Sequence, residues 1–71
     1  MITYKKQQQI NKTNAIYPRG KRFNDVGVRG EITNHWQNNI DGDAGVIVLL
    51  DEDIREEHCT DYTEISYSYL G

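Results

Sequence analysis

The stretch VGVRGEITNHW, residues 26–36, and the run AGVIVLL, residues 44–50, decide the fold. Val28, Ile32 and Trp36 point to a strand through VRGEITNHW, with Gly27 and Gly30 allowing a bend or bulge of the kind that turns a barrel corner. The second run is apolar throughout, which predicts a strand buried at the centre of a sheet. Between the two lies Asn38-Asn39-Ile40-Asp41-Gly42-Asp43, a cluster of turn formers whose Asp-Gly step is a strong hairpin signal. Residues 26–50 therefore read as an antiparallel pair.

Upstream, NKTNAIYPRGKRFNDVG (residues 11–27) is dense in Asn, Gly and Asp and holds the only proline. Pro18 restricts Tyr17 to extended conformations and Gly20 permits a turn, so this segment reads as a long loop or irregular arm. ITYKKQQQI (residues 2–10) develops no apolar i, i+3, i+4 series and reads better as a solvated edge strand than as a helix. Downstream, Asp51 to Glu57 forms an acidic loop that admits a brief helix, since Asp51 suits a cap and glutamates suit a first turn. TDYTEISYSYL (residues 60–70) alternates Tyr62, Ile65, Tyr67 and Tyr69 with Ser and Thr, as one or two half-buried strands do. The pattern predicts an all-β chain: a small closed or partly closed barrel of about five short strands with a long N-terminal loop, in a single domain over residues 1–71. Closure would remove the exposed edges that so small a sheet protects poorly.

Val26-Gly27-Val28-Arg29-Gly30-Glu31-Ile32 resembles the V-G-x-x-G-x-I turn-and-strand of SH3-like and KOW-type barrels. With the polar Ile-Asn segment, the polar hairpin and the Tyr-rich end, the layout over residues 8–70 is similar to the small SH3-like proteins of Bacillus prophages (YorP-like). The resemblance implies an SH3-like barrel and a phage or prophage accessory protein that binds a host or viral component. Glu31 departs from the basic strand of a KOW module, and the ALYDY-like run and Trp-Trp pair of a peptide-binding SH3 domain are missing.

Charge is unevenly divided along the chain. Residues 1–30 sum to +6 and residues 31–71 to −9, for a net charge of −3. Such a division either closes on itself as ion pairs or leaves a dipolar surface for a partner. The net negative charge argues against a general grip on nucleic acid, which depends on Lys and Arg neutralising phosphates. The single cysteine, Cys59, cannot form an internal disulfide, no signal segment begins the chain, and the run Val46–Leu50 is too short to span a bilayer. A cytoplasmic protein with no membrane role is expected.

Catalytic and metal chemistry find little support. Asp41, Asp43, Gly45 and Glu52 partly imitate a calcium loop, but its sixth position, where glycine is required, is Val46. His58 and Cys59 are adjacent and His35 is distant, unlike the spacing of zinc ligands. Ser66 and Ser68 have no nearby His-acid partner, and no glycine-rich phosphate cradle exists. The chain is expected to be non-enzymatic, without a cofactor.

Binding residues are easier to nominate. Asp51, Glu52, Asp53, Glu56, Glu57 and Asp61 form an acidic face. Beside it, Tyr62 and Trp36 are residue types favoured as interface anchors. Trp36 also has a bland reading: a chain this small needs its largest side chain buried, which favours core packing. The leading expectation is binding of a host or viral protein through this acidic loop and its aromatics. Lys12, Arg19, Lys21, Arg22 and Arg29 form a basic arm with three readings: it holds phosphates of a nucleic acid or ribonucleoprotein, pairs with the acidic loop, or is solvated. A third expectation is self-association into a small homo-oligomer, the positive half of one copy meeting the negative half of another; a monomer is the other possibility.

Overall fold

A computed structural model describes residues 2–70. Its elements run α1 (Tyr4–Ile16), β1 (Arg22–Asp25), β2 (Val28–Gln37), β3 (Ala44–Leu50), α2 (Glu52–His58) and β4 (Tyr62–Ser66), closed by a 3₁₀ turn at Tyr67–Tyr69. The four strands form one antiparallel sheet in the order β1-β2-β3-β4. This corrects the all-β expectation: the fold is α+β, with two helices on an open four-stranded meander rather than a five-stranded SH3-like barrel. β1 and β4 are its two edges, and the closure expected to remove them does not occur.

Residues 2–10 supply the first correction. They form most of α1 rather than a strand, although Ile10 is the helix's only buried residue. Intrinsic preference outweighs periodicity here, because Lys and Gln are good helix formers. The Thr3 hydroxyl accepts the Lys6 N–H as an N-cap (3.1 Å), and Gln7 donates to Asn11 one turn on (3.0 Å). Helix α1 docks by Ile10, by a Gln7–Gln37 amide pair (2.7 and 3.2 Å) and by the Tyr67 hydroxyl donating to Asn14 (2.5 Å).

The loop or arm expected over residues 11–27 is not one: residues 11–16 complete α1, 22–25 are β1, and between them lies a tight re-entry. A turn closes from the Lys21 N–H to the Pro18 carbonyl (3.1 Å), and Gly20 and Lys21 together face Ile32, bonding to its carbonyl (2.7 Å) and N–H (3.0 Å) respectively. That bulge launches β1. At the other end of β1, Asp25 pairs with Val28 across a two-residue loop in which Val26 (φ 46°) and Gly27 (φ 77°) are both left-handed. Such a turn matches the twist of its strands but normally takes Asn or Asp before glycine, so Val26 is strained.

Strands β2 and β3 are as expected, joined through the Asn38–Asp43 loop, where the Asn38 N–H bonds the Asp43 carbonyl (2.8 Å). Their register slips at Thr33. That extra residue reverses the parity of β2, so Ile32 faces one side of the sheet and Trp36 the other. The inner face carries the core of Phe23, Val28, Ile32, Val46, Val48, Leu50 and Ile65; Ile54 of α2 and the partly buried Tyr17, Tyr67 and Leu70 complete it.

Helix α2 realises the brief helix that the acidic loop admits. Cys59 ends it in the left-handed region (φ 58°), with the Cys59 N–H on the Glu56 carbonyl and the Thr60 N–H on the Arg55 carbonyl (3.2 Å each). Residues 60–70 yield one strand and the 3₁₀ turn. Among the described residues no helix is long and apolar enough to cross a membrane.

Candidate functional site

The outer face of the sheet gathers four of the nominated residues, Arg22, Arg29, Trp36 and Tyr62. Cross-strand register places Arg22, Glu31, Leu49 and Tyr62 in one row, Asn34, Ile47 and Glu64 in the next, and Trp36, Gly45 and Ser66 in a third. Residues two apart on one strand share a face, so Ile47 and Leu49 join these rows into a stripe from Trp36 to Tyr62. Trp36, Ile47 and Leu49 are half-buried, and Tyr62 is 53% exposed. Sequence reasoning nominated the two aromatic ends but missed Ile47 and Leu49, because an unbroken apolar run hides which members face out.

Trp36 lies across Gly45. A Cβ at that glycine would stand 2.7 Å from the indole Nε1 and would also collide with the Ile65 carbonyl, so the close approach requires the absence of a side chain. The indole N–H is buried there with no hydrogen-bond partner among the described residues. Trp36 therefore packs on the sheet, not in the core, and the bulge at Thr33 is the reason; the Thr33 hydroxyl holds that bulge by donating to the Ile47 carbonyl (3.2 Å).

One end of the stripe meets a charge cluster. The two terminal guanidinium nitrogens of Arg22 donate to the two carboxylate oxygens of Asp51, in the forked geometry that suits this pair. Arg29 lies 3.5 Å from Asp51 and donates to Asp53 at 2.8 Å. The Arg22 hydrogen bond holds the Asp51 carboxyl below its ordinary value against a smaller desolvation effect, and Asp51 in turn raises Arg22. Arg29 is raised chiefly by its bond to Asp53. Asp51 occupies the N-cap position of α2 without capping it, since its carboxylate is engaged by Arg22.

The rest of the basic arm is dispersed. Arg19 donates to the Asn34 side chain (3.0 Å), and Lys21 donates to the Ile16 carbonyl (3.0 Å) with its ammonium 5.7 Å from the centre of the Tyr17 ring. Lys12 is exposed on α1. The acidic face, by contrast, stays together: Glu52, Glu56, Glu57 and Asp61 are exposed on α2 and the approach to Tyr62, and none forms an ion pair among the described residues.

Other chemistry-bearing groups are apart. His35 Nε2 sits 2.7 Å from the Tyr17 carbonyl on the inner face, while His58 and exposed Cys59 end α2. Among the described residues no three His, Cys, Asp or Glu side chains converge as a metal site. Asp43 accepts from the Ser66 hydroxyl (2.6 Å) and from the Ala44 N–H (3.0 Å), which ties down the loop that resembled a calcium site. A cleft of about 270 Å³ lies elsewhere, between α1 and the β2–β3 loop, lined by Lys6, Ile10, Asp43, Ala44, Tyr67 and Ser68. At its wall the Ser68 hydroxyl lies 2.9 Å from that of Ser66, which donates to Asp43. Burial raises Tyr67 at its rim to about 12, with nearby Tyr17 contributing. Compared with protein-family models, curated proteins and solved structures, the chain has no match in any of the three.

Proposed function

We propose that this is a non-enzymatic cytoplasmic binding protein whose outer sheet face docks a partner protein that presents an apolar patch flanked by basic side chains. The observation that supports this reading is the outer-face stripe Trp36–Ile47–Leu49–Tyr62, half-buried at its first three members and exposed at Tyr62, followed along the chain by the exposed acids Glu52, Glu56, Glu57 and Asp61 between β3 and Tyr62, none of them ion-paired among the described residues. Aromatic anchors on a rigid sheet supply affinity and the acidic rim supplies steering. Arg22 and Arg29 take no part in recognising phosphate on this view, because their charges are already met by Asp51 and Asp53. A single exposed thiol with no second cysteine suits a reducing compartment.

The test compares the natural chain with two variants shown to be folded, Leu49→Ser/Tyr62→Ser on the stripe and Glu56→Lys/Glu57→Lys on the rim. Each is used to capture protein from nuclease-treated lysate, and the captured partner is then purified for rate measurements. The stripe variant should lose the partner. The rim variant should associate about tenfold more slowly at low salt and converge with the natural chain at high salt. Capture that neither variant alters would refute the reading, as would material that disappears on nuclease treatment.

A further inference from the structure

β1 is an edge strand whose outward side is open. The Lys21 carbonyl accepts the Ile32 N–H, Phe23 pairs with Gly30, and Asp25 pairs with Val28 across the two-residue turn. Alternation in an antiparallel ladder then turns the N–H and C=O of Phe23 toward β2 and those of Arg22 and Asn24 away from it. Nothing among the described residues meets those four outward groups. Both residues are exposed, Arg22 with 61% of its side chain accessible. The opposite edge is better protected: on β4 the Thr60 hydroxyl donates to the Tyr62 carbonyl (2.9 Å) and accepts its N–H (3.4 Å), and after Ser66 the chain leaves the sheet in the 3₁₀ turn.

We propose that β1 pairs with β1 of a second copy of this chain, antiparallel about a two-fold axis through Phe23. In that register Arg22 faces Asn24 of the second copy and Asn24 faces its Arg22, so the outward groups on both sides are satisfied by four backbone hydrogen bonds. Phe23 of each copy comes beside the other at the axis. Lys21 and Asp25 lie two residues either side of Phe23, on the same face of the strand. The two-fold axis therefore sets Lys21 opposite Asp25 of the second copy, and Asp25 opposite its Lys21. Opposite charges directly across a strand pair stabilise it, whereas like charges oppose it.

The sequence KRFND is thus its own complement in one register only. Sliding the strands by two residues takes both Lys21–Asp25 pairs out of opposition, and sliding by one residue puts Phe23 on the wrong face. The Asp25 carboxylate accepts the Val26 N–H (2.8 Å) through one oxygen and has a second to offer. Lys21 gives one of its three donors to the Ile16 carbonyl. The pairing would join two sheets of four strands into one of eight, with both outer faces on the same side and still uncovered. It stands independently of the partner proposed above.

Sedimentation velocity of the purified chain across a concentration series at low salt tests this. A reversible monomer–dimer equilibrium is expected. Lys21→Asp should weaken it at least about tenfold by setting Asp against Asp25 of the second copy, and adding Asp25→Lys to that variant should restore it. Asn24→Pro, which removes an N–H outside the intramolecular ladder, should abolish the dimer while circular dichroism stays native. A monomer at every concentration, a dimer indifferent to Lys21→Asp and Asn24→Pro, or a double exchange that fails to restore pairing would each overturn the proposal.

Discussion

On the inner face of the sheet Val48 is fully buried, while Ile47, one residue back along β3, stands half-buried on the outer face with Leu49 beyond it. The two sets are chemically alike and differ only in parity. What parity assigns is the neighbour: Val46, Val48 and Leu50 meet Ile54, Phe23 and Ile65, whereas Ile47 and Leu49 meet Trp36, Tyr62 and solvent. Hydrophobicity alone is therefore no guide to which side chains hold the fold and which are left at the surface. Register makes that division, and the single extra residue at Thr33 makes it for β2.

The contrast is broken most directly at the β3 terminus. Leu50→Ala opens space in a site 1% exposed and should lower unfolding free energy by about 2–5 kcal/mol, whereas Leu49→Ala, next to it, should cost less than about 1 kcal/mol. Equal losses in urea unfolding would mean that the outer face is a second core. A gain of about 1 kcal/mol is expected from Val26→Asn, which relieves a β-branched side chain at φ 46° without touching either face; no change in denaturation midpoint would show that the turn relaxes by other means. Tyr62→Ser should stay within about 0.5 kcal/mol of the natural chain in stability, and that near-neutrality is what allows it to report on binding.

The smallest effects are those of pH, and they fall at the two ends of the scale. Asp51 is depressed below 3.8 by Arg22, so its contribution is complete above that value and is lost as pH falls through the lower, folded one. Tyr67 is raised by burial from 10.0 to about 12, so its contribution is complete below pH 10 and fades as pH climbs toward 12. Loss of its proton also removes the donor to Asn14, so α1 should loosen there while β2–β3 signals persist. Methyl spectra, whose signals do not exchange with water, recorded along an alkaline titration would check this, and simultaneous collapse of the α1 and β2–β3 signals would contradict it.

Much of the sheet was legible. The β2–β3 pair announced itself through its valines and isoleucines and its Asp-Gly turn. The helix α1 was not legible from periodicity, because it buries only Ile10 and docks by Gln7 and Asn14, which carry no apolar signal. Gly20 was read as permitting a turn, but the long loop read around it and Pro18 hid the end of α1 and the strand that the turn begins. Trp36 was harder still: two residues an even number apart, Ile32 and Trp36, read as one face until a bulge is inserted, and nothing about Thr33 marks it as the extra residue. The basic arm and the acidic loop were seen as opposite charges, but only Arg22 and Arg29 reach Asp51 and Asp53, because only they share the outer face with that end of β3.

The strands lie in space in the order in which they are made. A closed barrel would oblige its first and last strands to find one another before either was secure, but in this meander each new strand needs only the one synthesised just before it. The β1–β2 hairpin can therefore form while β3 is still being added, and each finished edge serves as the template for the next. Assembly then proceeds by growth at one side, with a low cost in loop closure and little time spent with unpaired backbone exposed. Helix α1, made before the strands, is the exception: its partners Gln37 and Tyr67 come later in the chain, so its docking cannot be complete until the residues after β4 have been made.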